Sequence, residues 1–284
     1  MFFTTLVAVV ATLVVGHLAP AHVAALRRHA WFETWSGWLE RQGMAGLAWR
    51  LAPPVLLVAL LQWGLHGRWL GVPALVFGIF ASCWAWGARD LDLDVEAALD
   101  AQEPEARRLA FARLGVPDDG TADATPSVLV GNLARAGLRR WFGVLFWFLL
   151  LGPLGAVLYR LSVLAASQAQ AQAPAGAQAW LTLLEWPVAQ LMAFSMALAA
   201  NFDAVLRAWR EAGGARRVLD TGFLEAAARA AVPVTTALPP QGAPGIVPLL
   251  RDLPELHDTM SLLWRVLLIW LAVLALMVLA GWVG

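Results

Sequence analysis

Lysine is absent from the 284 residues, so all 20 basic residues are Arg. Without Lys there is no Gly-Lys-Ser/Thr phosphate loop, and neither a GxSxG nucleophile turn nor an HExxH zinc helix occurs. The single cysteine, Cys83, lies in an apolar run and can build no disulfide framework. Five His (17, 22, 29, 66 and 257) are scattered without metal-ligand spacing. Charge itself is scarce. Only 14% of residues are charged, against about 25% in soluble chains. The formal net charge is zero, which gives no long-range field to attract nucleic acid.

What is abundant is apolar surface. Hydrophobic residues make up 60% of the chain, and 16 Trp supply rings suited to the headgroup level of a bilayer. A spanning helix needs about 20 mainly apolar residues, because its backbone groups must be satisfied internally across roughly 30 Å of hydrocarbon. Residues 2–18, 70–86, 142–165 and 262–283 meet that need. Two weaker runs join them. Residues 51–65 turn over a short link, 66–69, into the next run, and residues 187–206 begin at Pro187, read as the first helical position. The latter run carries Gln190 and Ser195, which suggests that it faces protein. The expectation is therefore an all-α polytopic membrane protein with about six embedded helices, forming one membrane domain over 1–284.

Residues 2–18 followed by Ala19-Pro20-Ala21 invite comparison with a secretory signal. The charges Arg27 and Arg28 come after the apolar run, so it reads as a retained anchor. Segments 19–50, 87–141 and 207–261 hold 4, 7 and 6 Arg, whereas the low-complexity link 166–179 holds no charge. The positive-inside rule assigns the Arg-rich segments to the cytoplasm, and 166–179 and both termini to the outer side.

Between the runs, Trp31, Trp35 and Trp38 form one stripe of an amphipathic helix lying among inner headgroups. Residues 90–114 read as one helix that opens on Asp90, Asp92 and Asp94. Asp90 and Asp94 stack one turn apart, a spacing that suits either a solvated acidic face or an oxygen-liganded divalent cation such as Mg²⁺. Residues 207–231 read as helix, followed by a Pro-rich stretch, with helix again over 246–261. Polar groups near the membrane runs are costly unless paired or functional, so Asn132, Tyr159, Arg160, Glu185, Asn201 and Asp203 are candidates.

Several stretches look familiar. They are Phe2-Phe3-Thr4-Thr5-Leu6, Asp90-Leu91-Asp92-Leu93-Asp94-Val95, Arg139-Arg140-Trp141-Phe142, Leu184-Glu185-Trp186-Pro187-Val188, Asn201-Phe202-Asp203 and Leu263-Trp264-Arg265. The most specific is Gly152-Pro153-Leu154-Gly155-Ala156-Val157-Leu158-Tyr159-Arg160. In this order they resemble the AmpE family. That resemblance implies an inner-membrane signal transducer of Gram-negative bacteria, with both termini then in the periplasm, linked with β-lactamase regulation and peptidoglycan recycling. It implies no established reaction and no cofactor.

The family in turn looks similar to the CbiB/CobD membrane enzymes, which join an amino-alcohol phosphate to a corrinoid carboxylate. Here their acidic positions are taken by Pro126 and Gly131, while Ser127 and Asn132 remain. A Mg²⁺-dependent ligase or phosphotransferase would have to rely on Asp90, Asp92 and Asp94.

The resemblance suggests a receiver built from 90–96, 132–140, 201–203 and Arg207, in which Asp90 or Asp94 pairs with Arg139 or Arg207 in one state. Its partner would be a muropeptide or a cell-wall or signalling protein. A carrier of muropeptides or lipid-linked sugars is a third reading, with Gln190, Ser195, Arg160 and Glu185 lining its path.

Overall fold

The computed structural model describes residue 11 and residues 29–65, 72–86, 91–116, 125–168, 173–216, 218–232 and 253–280. The run 2–18, apart from residue 11, and Asp90 lie outside them. Among the described residues the chain is all-helical. In chain order the helices are α1 Ala30–Arg41, α2 Leu47–Leu65, α3 Val72–Ala85, α4 Leu91–Asp100, α5 Pro104–Arg113 and α6 Pro126–Gly137. A π-helical turn, Leu138–Phe142, leads into α7 Gly143–Leu151. Then follow α8 Pro153–Ser167, α9 Ala177–Ala199, α10 Phe202–Glu211, α11 Gly222–Ala231 and α12 Pro254–Leu279. Among the described residues three spans are long and apolar enough to cross a membrane: Leu47–Leu65, Ala177–Ala199 and Pro254–Met277. Leu56, Leu57, Leu60 and Trp63 on α2 are all exposed, as a lipid-facing surface would be.

The contacts divide the chain into two compact units. One comprises 1–89, 139–188 and 271–284, and the other 90–138 and 189–270.

In the first unit the run 142–165, expected as a single crossing, is broken. Gly152 takes a φ of 70°, a left-handed conformation that Gly adopts at no steric cost, and Pro153 opens the next helix. The chain turns back on itself. A Cβ on Gly155 would overlap the backbone oxygen of Trp147, and one on Gly143 would overlap the Tyr159 ring. Pairs 147/155 and 143/159 are symmetric about the turn, so α7 and α8 form an antiparallel hairpin closed through these glycines.

α8 then runs antiparallel along α2. Gln62 meets Leu151 and Leu154 at one end, and Arg50 donates to Gln168 at the other. Gln168 and Arg50 therefore lie at one end of this helix pair, and Gln62 and Leu151 at the other.

α2 itself contains Pro53 and Pro54. Pro54 removes the N–H that would reach the Arg50 carbonyl, and the indole of Trp35 donates to that carbonyl instead, at 3.3 Å. On α1 the core-facing residues are Phe32, Ser36 and Leu39, so the Trp stripe is a flank: Trp31 and Trp38 are exposed and Trp35 stacks on Trp38.

Three further expectations shift. Within the helix expected over 90–114, Pro104 starts a second helix, α5, behind an extended Glu103. Residues 207–231 divide into α10 and α11 around Gly213-Gly214. Pro187 is not a first helical position but sits inside α9, which ends at Ala199. Ser195 and Gln190 do face protein: Trp270 Nε1 donates to Ser195 Oγ and Trp209 Nε1 to Gln190 Oε1, both at 2.9 Å. Gln190 Nε2 reaches the Gly214 carbonyl at 2.9 Å, tying the turn after α10 to α9.

Candidate functional site

Four of the polar residues singled out from the sequence converge in the first unit. Arg139 lies in the π-helical turn at the hairpin's base, Tyr159 and Arg160 lie on α8, and Glu185 lies on α9. Arg139 Nε donates to Glu185 Oε1 at 2.7 Å, with a longer second contact from Nη2 to Oε2. The Glu185 side chain is only 2% exposed. The fully buried Tyr159 phenol hydrogen-bonds the same carboxylate. Next in sequence, Arg160 Nε donates to the Ala85 carbonyl at the C-terminus of α3, at 2.5 Å. A cation near that end is favoured, because the last carbonyls of a helix are unsatisfied and partly negative. Trp147 adds a donor to the Leu184 carbonyl at 3.2 Å.

The arrangement follows from local chain chemistry. A π-turn inserts one extra residue per turn and re-aims the side chains around it, and here it carries Arg139. Gly143 permits the approach of Tyr159, while Gly155 lets the two hairpin backbones close. One buried carboxylate thus gathers a guanidinium and a phenol. Such a cluster has few stable arrangements, because each partner removed leaves a charge or donor stranded in low dielectric.

Two contributors were not singled out from the sequence. Gln62 Nε2 donates to the Leu151 carbonyl at 3.2 Å, and Gln62 Oε1 accepts from the Leu154 N–H at 3.0 Å. One side chain thereby serves a donor and an acceptor flanking the helix break. A lone Gln inside the apolar run 51–65 was the available signal. Arg50 is the second. It is 1% exposed, donating to Glu40 at 2.6 Å and to Gln168.

The remaining candidates do not form one visible site. Arg139, expected to pair with Asp90 or Asp94 in one state, takes Glu185 as its carboxylate. Asn132 is half-buried on α6. Asn201 is the N-cap of α10, accepting from the Ala204 N–H at 3.1 Å, while Asp203 and Arg207 are exposed on that helix. Asp94 is buried beside Leu91, Val95 and Ala98, so it does not belong to a solvated face. Asp92 accepts from Trp264 Nε1 at 3.1 Å. Among the described residues no group of three or more His, Cys, Asp or Glu could hold a metal ion. The pair Asp90/Asp94 lies partly outside them.

A second charged group lies in the other unit. Glu225 on α11 bridges Arg135 of α6 and Arg229 of its own helix, the latter at 2.8 Å. These side chains are 22%, 41% and 39% exposed respectively.

Comparison of the chain with protein-family models, with curated proteins and with solved structures gave no match.

Proposed function

We propose that this chain is an AmpE-like regulatory protein of the bacterial inner membrane, responding to cell-wall status rather than carrying out a reaction. The observation that supports it most is the convergence of Arg139, Tyr159, Arg160 and Glu185 on one region. These residues come from three stretches that carry the AmpE resemblance, and two of them sit on a broken, hairpin-forming helix pair. A receiver must have two arrangements that a ligand or partner binds unequally. A buried ion pair at the base of a hairpin supplies one well-defined arrangement, and its rupture the other.

In this reading the Arg-rich segments 19–50 and 87–141 face the cytoplasm. The partner is a muropeptide or a cell-wall signalling protein, and Mg²⁺ has no required role. The test replaces the native copy with Arg139→Gln or Glu185→Gln and follows β-lactamase induction by a β-lactam, with membrane abundance measured alongside. The expected result is loss of the graded response at normal abundance. Wild-type induction in both variants would rule out this cluster as the receiver.

A further inference from the structure

The turn at Leu151–Leu154 has no charged residue, and Leu150 and Leu151 are exposed at its tip. A turn lying in water would satisfy its open backbone groups with solvent and carry polar side chains. This one uses Gln62 instead, a side chain from a neighbouring helix, for the Leu151 carbonyl and the Leu154 N–H. That solution is expected where no water is present and irregular backbone must be satisfied by protein.

The opposite end of the hairpin is different in kind. Gln168, at the end of α8, accepts from Arg50, which also pairs with Glu40 at the end of α1. The rise along α2 from Arg50 to Gln62 is about 18 Å, well short of the roughly 30 Å of a hydrocarbon core.

From these observations we infer that residues 139–168 form a re-entrant hairpin. It enters and leaves through the membrane face that carries Arg50, and Gln62 is the latch that closes its apex inside the hydrocarbon. The inference is independent of the regulatory reading above. Its consequence for any ligand is directional. The Arg139–Glu185 pair lies at the hairpin's base, so a soluble ligand reaches it from the Arg50 face. The hairpin also removes one crossing from the six apolar runs, so the termini share a face only if another run stays on its own side.

Labelling of single cysteines with a membrane-impermeant maleimide tests this in a Cys83→Ala background, comparing intact cells with inverted vesicles. Gln42→Cys and Ser167→Cys should label from the same side, and Gly67→Cys, in the link between the two apolar runs, from the opposite side. Leu151→Cys should stay unreactive from both sides until detergent is added. Ser167→Cys reacting from the side of Gly67→Cys would overturn the hairpin's re-entry. Leu151→Cys reacting as fast as Gly67→Cys would overturn the buried apex.

The latch is tested by adding Gln62→Leu to the Leu151→Cys variant. Losing both hydrogen bonds at the apex should admit water and raise its labelling rate about tenfold. An unchanged rate, with Ser167→Cys still labelling from its original side in the same background, would show that Gln62 is not the latch.

Discussion

The two units each hold a charged cluster around one Glu, and the two clusters differ mainly in how far that carboxylate is buried. Glu185, 2% exposed, is withdrawn from solvent and shared by Tyr159 and by Arg139, which is 31% exposed, whereas Glu225 keeps contact with water along with both of its Arg partners. Exposed pairs of the second kind are typically worth 0–1 kcal/mol, because solvent screens the attraction and holding long side chains costs entropy. A buried pair differs less in its net worth than in the penalty for breaking it, since the surviving charge is stranded. The first group therefore has leverage over structure that the second lacks. The contrast explains why the proposed receiver is placed at Glu185 and not at the more heavily charged Glu225.

The largest expected effect is that of Glu185→Ala, which takes the carboxylate from Arg139, itself 31% exposed, and from the buried Tyr159 phenol. It should lower stability in detergent by about 3 kcal/mol, read by denaturant titration. Gln62→Leu comes next, at about 2–3 kcal/mol, because both groups at the hairpin apex lose their partner where water is scarce. Asn201→Ala removes an ordinary N-cap on exposed α10 and should cost about 1 kcal/mol, seen as a small Tm shift. Arg135→Ala should fall below about 1 kcal/mol, and that small loss should shrink further in 1 M salt, while the Glu185→Ala effect stays unchanged. A salt-insensitive Arg135 effect would erase the distinction between the two groups.

The two caps in this list also show what the sequence makes legible. Asn201 stands directly before an amphipathic stretch, and an Asn there has a local meaning that spacing alone reveals. Gln62 caps a break far along the chain, and nothing within a few residues of it announces that role. The same division runs through the fold. The all-helical character and the apolar runs follow from composition and length. The break inside 142–165 was written in Gly152-Pro153, but a hydrophobicity window averages over one Gly-Pro pair when its neighbours are Leu and Phe. Pro187 misled in the opposite direction. It reads as a helix start, yet α9 continues through it, as membrane helices tolerate when neighbours satisfy the freed backbone. Arg139, Tyr159, Arg160 and Glu185 could be named from the cost of polar groups near membrane runs. Their meeting depends on the π-turn and on two glycine contacts, which are properties of packing.

The most direct test of the account is a pair of double-mutant cycles on the full chain in detergent, one across Arg139 and Glu185 and one across Arg135 and Glu225. The account predicts a coupling of about 2 kcal/mol or more for the first cycle and less than about 1 kcal/mol for the second. Equal couplings, or a larger one at Glu225, would contradict the claim that the buried cluster at the hairpin's base is where this protein concentrates its electrostatic leverage.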